Sequence, residues 1–555
     1  MKRRIDSLIE RNKYDGYDSY SKAIKTNKEL MDQFVNYLTI NVSEFYRNPA
    51  LWKTLEDVIL PDLIKKFGSN LKIWSAACST GDEPYSLAMV LAKKMPLNKI
   101  HIIATDIDDQ VLEKARDGVY AASSLKGLPD EYKNKYFEKM GEKYFKISDE
   151  IYNYDSKALQ LCSKRFAEID EVTEYNQVKM LHAFIKNGVS EAHFAGSTGY
   201  GYGDRGRDTL DKVFADAVGA ESAVIRHNFV CGTHALTVAL FGILRPNDKM
   251  LCVTGRPYDT LVGVIGIDKV TDGSLRDFGI EYDQVDLING EVDIEGITNK
   301  LKNEHYKMAY IQRSCGYAVR RPLNMCDIER IAKAVKSVSP DTIVMVDNCY
   351  GEFVECDESV SHGADLMAGS LIKNPGGGIA PTGGYIAGKA ELVEQCANRL
   401  TVPGIGGEVG ASLGTNRELY MGLFNAPHVV GEALKTAVYA AALLELMGYE
   451  TYPRYDAKRA DIIQTVTLGD RQKLIDFCRG MQSGAPVDSF VVPEPWAMPG
   501  YDCDVIMAAG TFTLGASIEL SCDAPLREPF AVWMQGGLNF HSARMGILLA
   551  VESMK

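Results

Sequence analysis

The stretch Thr342-Ile-Val-Met-Val346 is β-branched and apolar almost throughout, with no charged residue at any position. A strand of that composition is stable only where both faces of its sheet are covered, as in a parallel sheet flanked by helices. Asp347 follows it directly, and open α/β sheets bind ligands just outside the carboxyl ends of their strands. A carboxylate there is a candidate site group, with the plainer role of capping a following helix. Asp365-Leu-Met-Ala-Gly-Ser370 reads as a further strand, followed by Lys373 and three glycines, Gly376 to Gly378.

With 555 residues, the chain has room for three or four units of ordinary size. A net charge of -13 argues against a nucleic-acid footprint and against an anionic membrane surface as partner, which directs attention to a small molecule. No run of about 18 apolar residues occurs, and the charged start Met-Lys-Arg-Arg-Ile-Asp-Ser lacks the apolar core of a signal peptide. The expectation is a cytoplasmic protein without a membrane partner. Twelve cysteines stand singly, with no CxxC pair and no His/Cys spacing for zinc, so neither disulfides nor a metal site are expected.

The two ends follow different patterns. Residues 1–65 read as charged amphipathic helices, and 66–148 as the opening of a nucleotide-binding α/β unit. In the latter, Leu71-Lys-Ile-Trp-Ser-Ala-Ala77 is a strand, Cys78 to Glu83 a polar turn, and Pro84 to Ala92 a helix with proline at its first position. A second strand, Ile100 to Thr105, ends in Asp106, where a carboxylate can accept from ribose hydroxyls. An acidic amphipathic helix is expected from Ala158 to Glu174, at the head of a large domain over 149–425, with a small domain over 426–555. No Gly/Ser- or Pro-rich linker separates the halves, and the join in Lys146 to Ile151 reads as a direct fusion or recombination.

Three segments of the first 150 residues carry a resemblance: Leu38-Thr-Ile-Asn-Val-Ser-Glu-Phe-Tyr-Arg47, Trp74-Ser-Ala-Ala-Cys-Ser-Thr-Gly-Asp-Glu-Pro-Tyr-Ser-Leu-Ala88 and Ala104-Thr-Asp-Ile-Asp108. Together they resemble CheR-type chemotaxis-receptor methyltransferases, which act on receptor glutamates with S-adenosyl-L-methionine. The resemblance implies that Asn41, Ser43 and Arg47 approach the methionine end of that cofactor, that Glu83 lies beside it and that Asp106 holds the ribose. Family members continue with further strands that are missing here. The segment therefore reads as a partial Rossmann-like domain, with at most a remnant of chemoreceptor recognition and doubtful methyltransferase activity.

Lys373 poses a different chemistry. An amine flanked by glycines suits a Schiff base with an aldehyde cofactor, provided that burial or a neighbouring cation helps it lose its proton. Pyridoxal 5'-phosphate needs a phosphate cup, an aromatic plate, an acid for its pyridine nitrogen and the lysine, and the chain offers all four. Cys231, Gly232 and Thr233 precede an apolar helix whose free amides suit a dianion, and an ordinary N-cap is the plainer alternative. Tyr258 follows the strand Met250 to Thr254 and can stack on a ring; a structural loop tyrosine is the alternative. Asp347 would keep a pyridine nitrogen protonated, which makes the ring an electron sink. Lys373 lies 26 positions further on (373 minus 347), room for the chain to return to the same sheet edge, and Ser370 is a candidate phosphate donor or a turn hydroxyl.

Phe194-Ala-Gly-Ser-Thr-Gly-Tyr-Gly-Tyr-Gly203, Val346-Asp-Asn-Cys-Tyr-Gly-Glu-Phe353, Gly369 to Gly378 and Asp488-Ser-Phe-Val-Val-Pro-Glu-Pro-Trp496 are similar to the methionine γ-lyase-like family, often called aluminium-resistance proteins. The resemblance covers about Ser148 to Lys555 and implies a fold-type-I α/β enzyme with a seven-stranded large domain, a small C-terminal α/β domain and a site at a homodimer interface, in a homodimer or homotetramer. It implies Tyr202 and Arg205 as phosphate ligands reaching a neighbouring subunit. A substrate carboxylate needs a guanidinium fork, for which Arg527 is the first candidate and Arg417 the alternative. The expected reaction is carbon–sulfur elimination from an amino acid, with Lys373 as Schiff-base residue and general base, Tyr258 beside the reacting amine and Asp347 behind the ring. A transaminase or racemase would use the same groups, and S-adenosylmethionine-dependent methyl transfer by the N-terminal part is a further alternative.

Overall fold

The computed structural model describes residues 5, 9, 11–12, 14–27, 30–31, 34, 44–68, 71–118, 120, 122–137, 145, 147–316, 318, 320–498 and 503–555. It divides into two compact units, Met1–Tyr144 and Phe145–Lys555.

In the first unit, β1 (Lys72–Ala76) and β2 (His101–Thr105) form a parallel two-stranded sheet with Trp74 opposite Ile103. The connecting helix runs Asp82–Leu91 and starts after Gly81, which takes a φ of 93°. Pro84 is therefore its third residue and not its first. It is still within the first turn, where a missing N–H leaves no intrahelical bond unmade. A small core of Phe45, Tyr46, Leu60, Met89, Val90 and Leu91 covers the Ile73 and Ile102 side of the sheet. On the other side, Trp74 and Ile103 remain 70% and 64% exposed. Two strands cannot bury both of their faces unaided, and one apolar face stays uncovered.

The second unit begins with a helix at Asp149–Lys186, extended at both ends relative to the expected 158–174. Asp149 and Glu150 favour its first turn, and neither glycine nor proline interrupts the sequence before Gly188. Its buried stripe, Ile151, Asp155, Ala158, Cys162, Ile169, Asn176, Met180 and Ala183, packs on a second long helix, Asn416–Leu446. The position 425/426, where the small domain was expected to start, falls inside that second helix.

In chain order between these two helices come the seven strands of one sheet, β3 (Ser222–Arg226), β4 (Lys249–Cys252), β5 (Glu281–Gln284), β6 (Met308–Gln312), β7 (Ile343–Asp347), β8 (Leu366–Ser370) and β9 (Gly384–Gly388). Its order is β3-β9-β8-β7-β6-β4-β5, parallel except for the pairings of β9. Strands β6 to β9 are buried along their whole length, as the continuous apolar run at 342–346 requires. A second, antiparallel sheet holds β10 (Glu450–Tyr452), β11 (Gln464–Thr467), β12 (Trp496–Ala497), β13 (Asp504–Ala508), β14 (Ser521–Pro525) and β15 (Ala531–Gln535), in the order β10-β11-β15-β14-β13-β12. Helices Arg471–Ser483 and Phe540–Ser553 pack on one another beside it. Among the described residues no helix is long and apolar enough to cross a membrane.

Candidate active site

Parallel strands β7 and β8 deliver their carboxyl ends to one edge. Asp347 is the last residue of β7 and is buried; Oδ1 accepts from the Cys349 amide at 3.2 Å and Oδ2 from the Tyr310 hydroxyl at 3.3 Å. The capping alternative is excluded, because the next helical turn, Ser359–His362, follows Glu358. Burial pushes the Asp347 carboxyl up against the pull of the Lys373 charge and of its hydrogen bonds.

Lys373 follows β8 and caps the short turn Asn374–Gly376. Its Nζ lies 3.9 Å from the centroid of the Tyr350 ring. Burial works against the ammonium, but Cys349, Tyr350, Asp347 and Tyr258 outweigh it and hold the lysine above its ordinary range. The sequence argument sought a lysine made reactive by burial. The lysine is half-buried, and the net shift is upward because the amine stands among acids. A cationic ring nitrogen laid on Asp347 would take over that carboxylate and remove one of the groups holding the proton.

The helix Gly232–Ile243 starts beside the same edge. Its cap is Cys231, whose sulfur accepts from the His234 amide at 3.4 Å. A Cβ at Gly232 would stand 3.0 Å from Cβ of Ser370 and 3.6 Å from Sγ of Cys349, so glycine lets the helix start approach β8. Ser370 Oγ is buried without a hydrogen-bond partner. Thr233 Oγ1 and Thr260 Oγ1 share a 2.8 Å hydrogen bond across the mouth of this region. Tyr258 caps the helix Asp259–Ile265, and its amide donates to Gln312 Oε1 at 2.7 Å. A lysine, a buried acid, a helix N-terminus with an orphaned hydroxyl beside it and a nearby tyrosine are groups of the kinds that pyridoxal phosphate requires.

Other expected residues stand on further loops and helices. Tyr202 is 63% exposed on the loop before helix Arg205–Val218, at 5.8 Å from the Tyr200 ring, and Arg205 is exposed at that helix's first position. The loop is fastened by Arg207, which donates to the carbonyls of Gly201 and Gly410 at 2.8 and 3.0 Å. Arg417 stacks 4.9 Å over Phe194. Arg527 is exposed in the turn joining β14 to β15. In the first unit, Asn41 and Ser43 lie outside the described residues, and Arg47 is exposed. Glu83 accepts from Ser75 Oγ at 2.8 Å, while Asp106 accepts from the amides of Ser79 and Asp108 at 2.7 and 3.1 Å. Both carboxylates thus already brace the loop at the strand ends.

Three groups at the site escaped sequence reasoning. Tyr350 lies beneath Lys373. Buried Glu352 accepts from the Tyr385 hydroxyl at 2.6 Å, and burial raises its carboxyl to about 8. Asn374 donates to the carbonyls of Tyr350 and Glu352 at 3.0 and 2.9 Å. Tyr350 and Glu352 sit in the motif after Asp347, but nothing in the sequence shows that the chain folds back there.

This fold and site define a pyridoxal-phosphate-dependent lyase of fold type I. Residues 151–555 match the methionine gamma-lyase family, and the chain belongs to that family. It is 49% identical over 389 residues to the uncharacterized protein YnbB of Bacillus subtilis, spanning 70% of this chain and 92% of that one. The crystal structure of a carbon-sulfur lyase involved in aluminum resistance from Clostridium novyi NT is 48% identical and superposes with a TM-score of 0.72, covering 78% of this chain and 99% of that one. Residues 41–170 match the SAM-binding domain of CheR methyltransferase. The chemotaxis protein methyltransferase of Listeria monocytogenes is 38% identical over 144 residues, 26% of this chain and 55% of that protein. The chain spans about half the length of such methyltransferases, so it joins a lyase to an incomplete methyltransferase.

Proposed function

We propose that the second unit catalyses carbon–sulfur elimination from a sulfur-containing amino acid. The observation that carries this reading is the meeting of buried Asp347, Lys373 and the unpartnered Ser370 hydroxyl at one sheet edge, in a chain 48% identical to a carbon-sulfur lyase. Pyridoxal phosphate supplies, when bound, an electron sink for negative charge at the substrate α-carbon. Asp347 would offer its carboxyl to the ring nitrogen. Cys231, Gly232 and Thr233 at the helix start, with Ser370, oppose the phosphate dianion. Tyr258 would supply an aromatic face to the cofactor and its hydroxyl to the incoming amine. Lys373 Nζ, once free of its proton, takes the α-proton as general base. Arg527 is the first candidate to fork the substrate carboxylate, with Arg417 as the alternative, and the sulfur substituent leaves as a thiolate.

The exposed Tyr202 and Arg205 support a homodimer in which they reach the neighbour's phosphate. The described cysteines are all free thiols, which supports a reducing cytoplasm. The purified protein is expected to show a visible cofactor band and to release pyruvate or oxobutyrate from cystathionine, cysteine or methionine. Lys373→Ala is expected to lose about 10²–10⁴-fold in turnover, and a variant that kept both band and rate would end the reading.

The CheR match supports a second, subordinate reading in which the first unit binds S-adenosylmethionine through Asp106 and Glu83, with Asn41, Ser43 and Arg47. Calorimetric titration with S-adenosylhomocysteine decides it, and no heat of binding removes it.

A further inference from the structure

Tyr350 connects Lys373 to the antiparallel sheet. It lies three residues beyond β7 with a φ of 71°, a left-handed conformation that a bulky side chain keeps only where its surroundings impose it. Its carbonyl accepts from Asn374 Nδ2 at 3.0 Å, which ties its backbone to the residue next to Lys373. One face of its ring lies 3.9 Å from the lysine Nζ. The ring also packs on a cluster of Cys315, Ile463, Ala531 and Trp533, of which the last two belong to β15. Its hydroxyl donates to Ser517 Oγ at 3.2 Å, in the segment just before β14.

We propose that Tyr350 is a positioning residue of the lyase site: its ring, fixed by Ser517 and the antiparallel sheet, holds the Lys373 amine as a cation over its face. The inference rests on the reading of Lys373 as the reacting amine. A half-buried ammonium over an aromatic face is stabilised by the ring quadrupole, which keeps the proton on nitrogen. The other titratable groups facing Lys373 are Asp347, Cys349, Tyr258 and Glu352, and they stay in place in every variant below. The strained backbone then has a use, since an extended conformation at position 350 would turn the ring away from the lysine. The hydroxyl contact holds the ring in place from the opposite side.

The test reads the free amine directly. The full chain is first freed of bound cofactor with hydroxylamine and dialysis, then mixed with pyridoxal phosphate; the adduct is trapped with borohydride, and its rate of appearance on the Lys373 peptide is followed by mass spectrometry below the lysine's titration point. Only the unprotonated amine reacts. Losing the ring is expected to lower that titration point by about one unit, hence to speed trapping about tenfold in Tyr350→Leu, while Tyr350→Phe reacts like the natural protein. Should Tyr350→Leu fail to fold, pentafluorophenylalanine at position 350 keeps the shape, reverses the quadrupole and is expected to react faster as well. Equal rates in the natural protein and the ring-altered proteins, or a Phe variant as fast as the Leu variant, would overturn the proposal. Absence of any adduct on Lys373 in the natural protein would instead overturn the Schiff-base reading.

Discussion

At Glu352 a carboxyl is buried with one oxygen on the Tyr385 hydroxyl at 2.6 Å and the other without a partner. Burial raises it to about 8, so the folded chain keeps a proton that the unfolded chain releases near the ordinary glutamate value. The stability associated with that proton is complete below the unfolded value and is lost as pH rises from there through about 8. The melting temperature is therefore expected to fall across this window, and Glu352→Gln, neutral at every pH, is expected to flatten the fall. Calorimetric scans at pH 5, 6, 7 and 8 check it, and parallel curves for the two proteins would refute the assignment. Lys373 and Asp347 were legible in the sequence because a lysine before glycines and an acid after an apolar strand have chemical meaning as words. Tyr350 and Glu352 were not, because their roles depend on a reversal of the chain after β7 with φ values of 71° and 61° at Tyr350 and Phe353. Neither residue signals a left-handed turn, since both are aromatic, and Gly351 between them marks a turn without saying which neighbours take positive φ.

Among the elements, helix Asp149–Lys186 was legible in kind and not in length. Its hydrophobic period shows only where neighbours cover it, and its first turns are fastened by distant residues. Asp155, buried on that helix, accepts from the Tyr439 hydroxyl at 2.6 Å and from Arg544 Nε at 2.7 Å. It thereby joins the first helix of the unit to the long central helix and to the C-terminal helix Phe540–Ser553. Asp155→Ala is expected to cost about 3 kcal/mol, the low end for breaking a buried pair, because Arg544 keeps partial access to water. Urea unfolding followed by circular dichroism measures it, and a change within 0.5 kcal/mol, about the usual size for a surface substitution, would refute it.

At the scale of the whole molecule, two units of unequal quality share one chain. The second contains a seven-stranded sheet covered by helices, whereas the first rests on two strands with Trp74 and Ile103 exposed on one face. Buried apolar area is the main source of stability, so the first unit is expected to melt separately and at lower temperature. Differential scanning calorimetry of the full chain should resolve two transitions, and one cooperative transition would show that the units unfold together.

By itself the sequence determined the classes of structure and chemistry: a covered parallel sheet from the run at 342–346, a lysine before glycines at 373, an acid after the apolar strand at Asp347, and two unlike halves meeting near residue 150. These follow from composition and local pattern, which act over a few residues. Tertiary structure alone decided that Tyr350 lies under the lysine, that Ser370 is left without a partner and that Gln312 holds the amide of Tyr258. Those contacts join residues brought together by parallel strand order, and strand order is set by burial over the whole sheet, which local sequence does not encode.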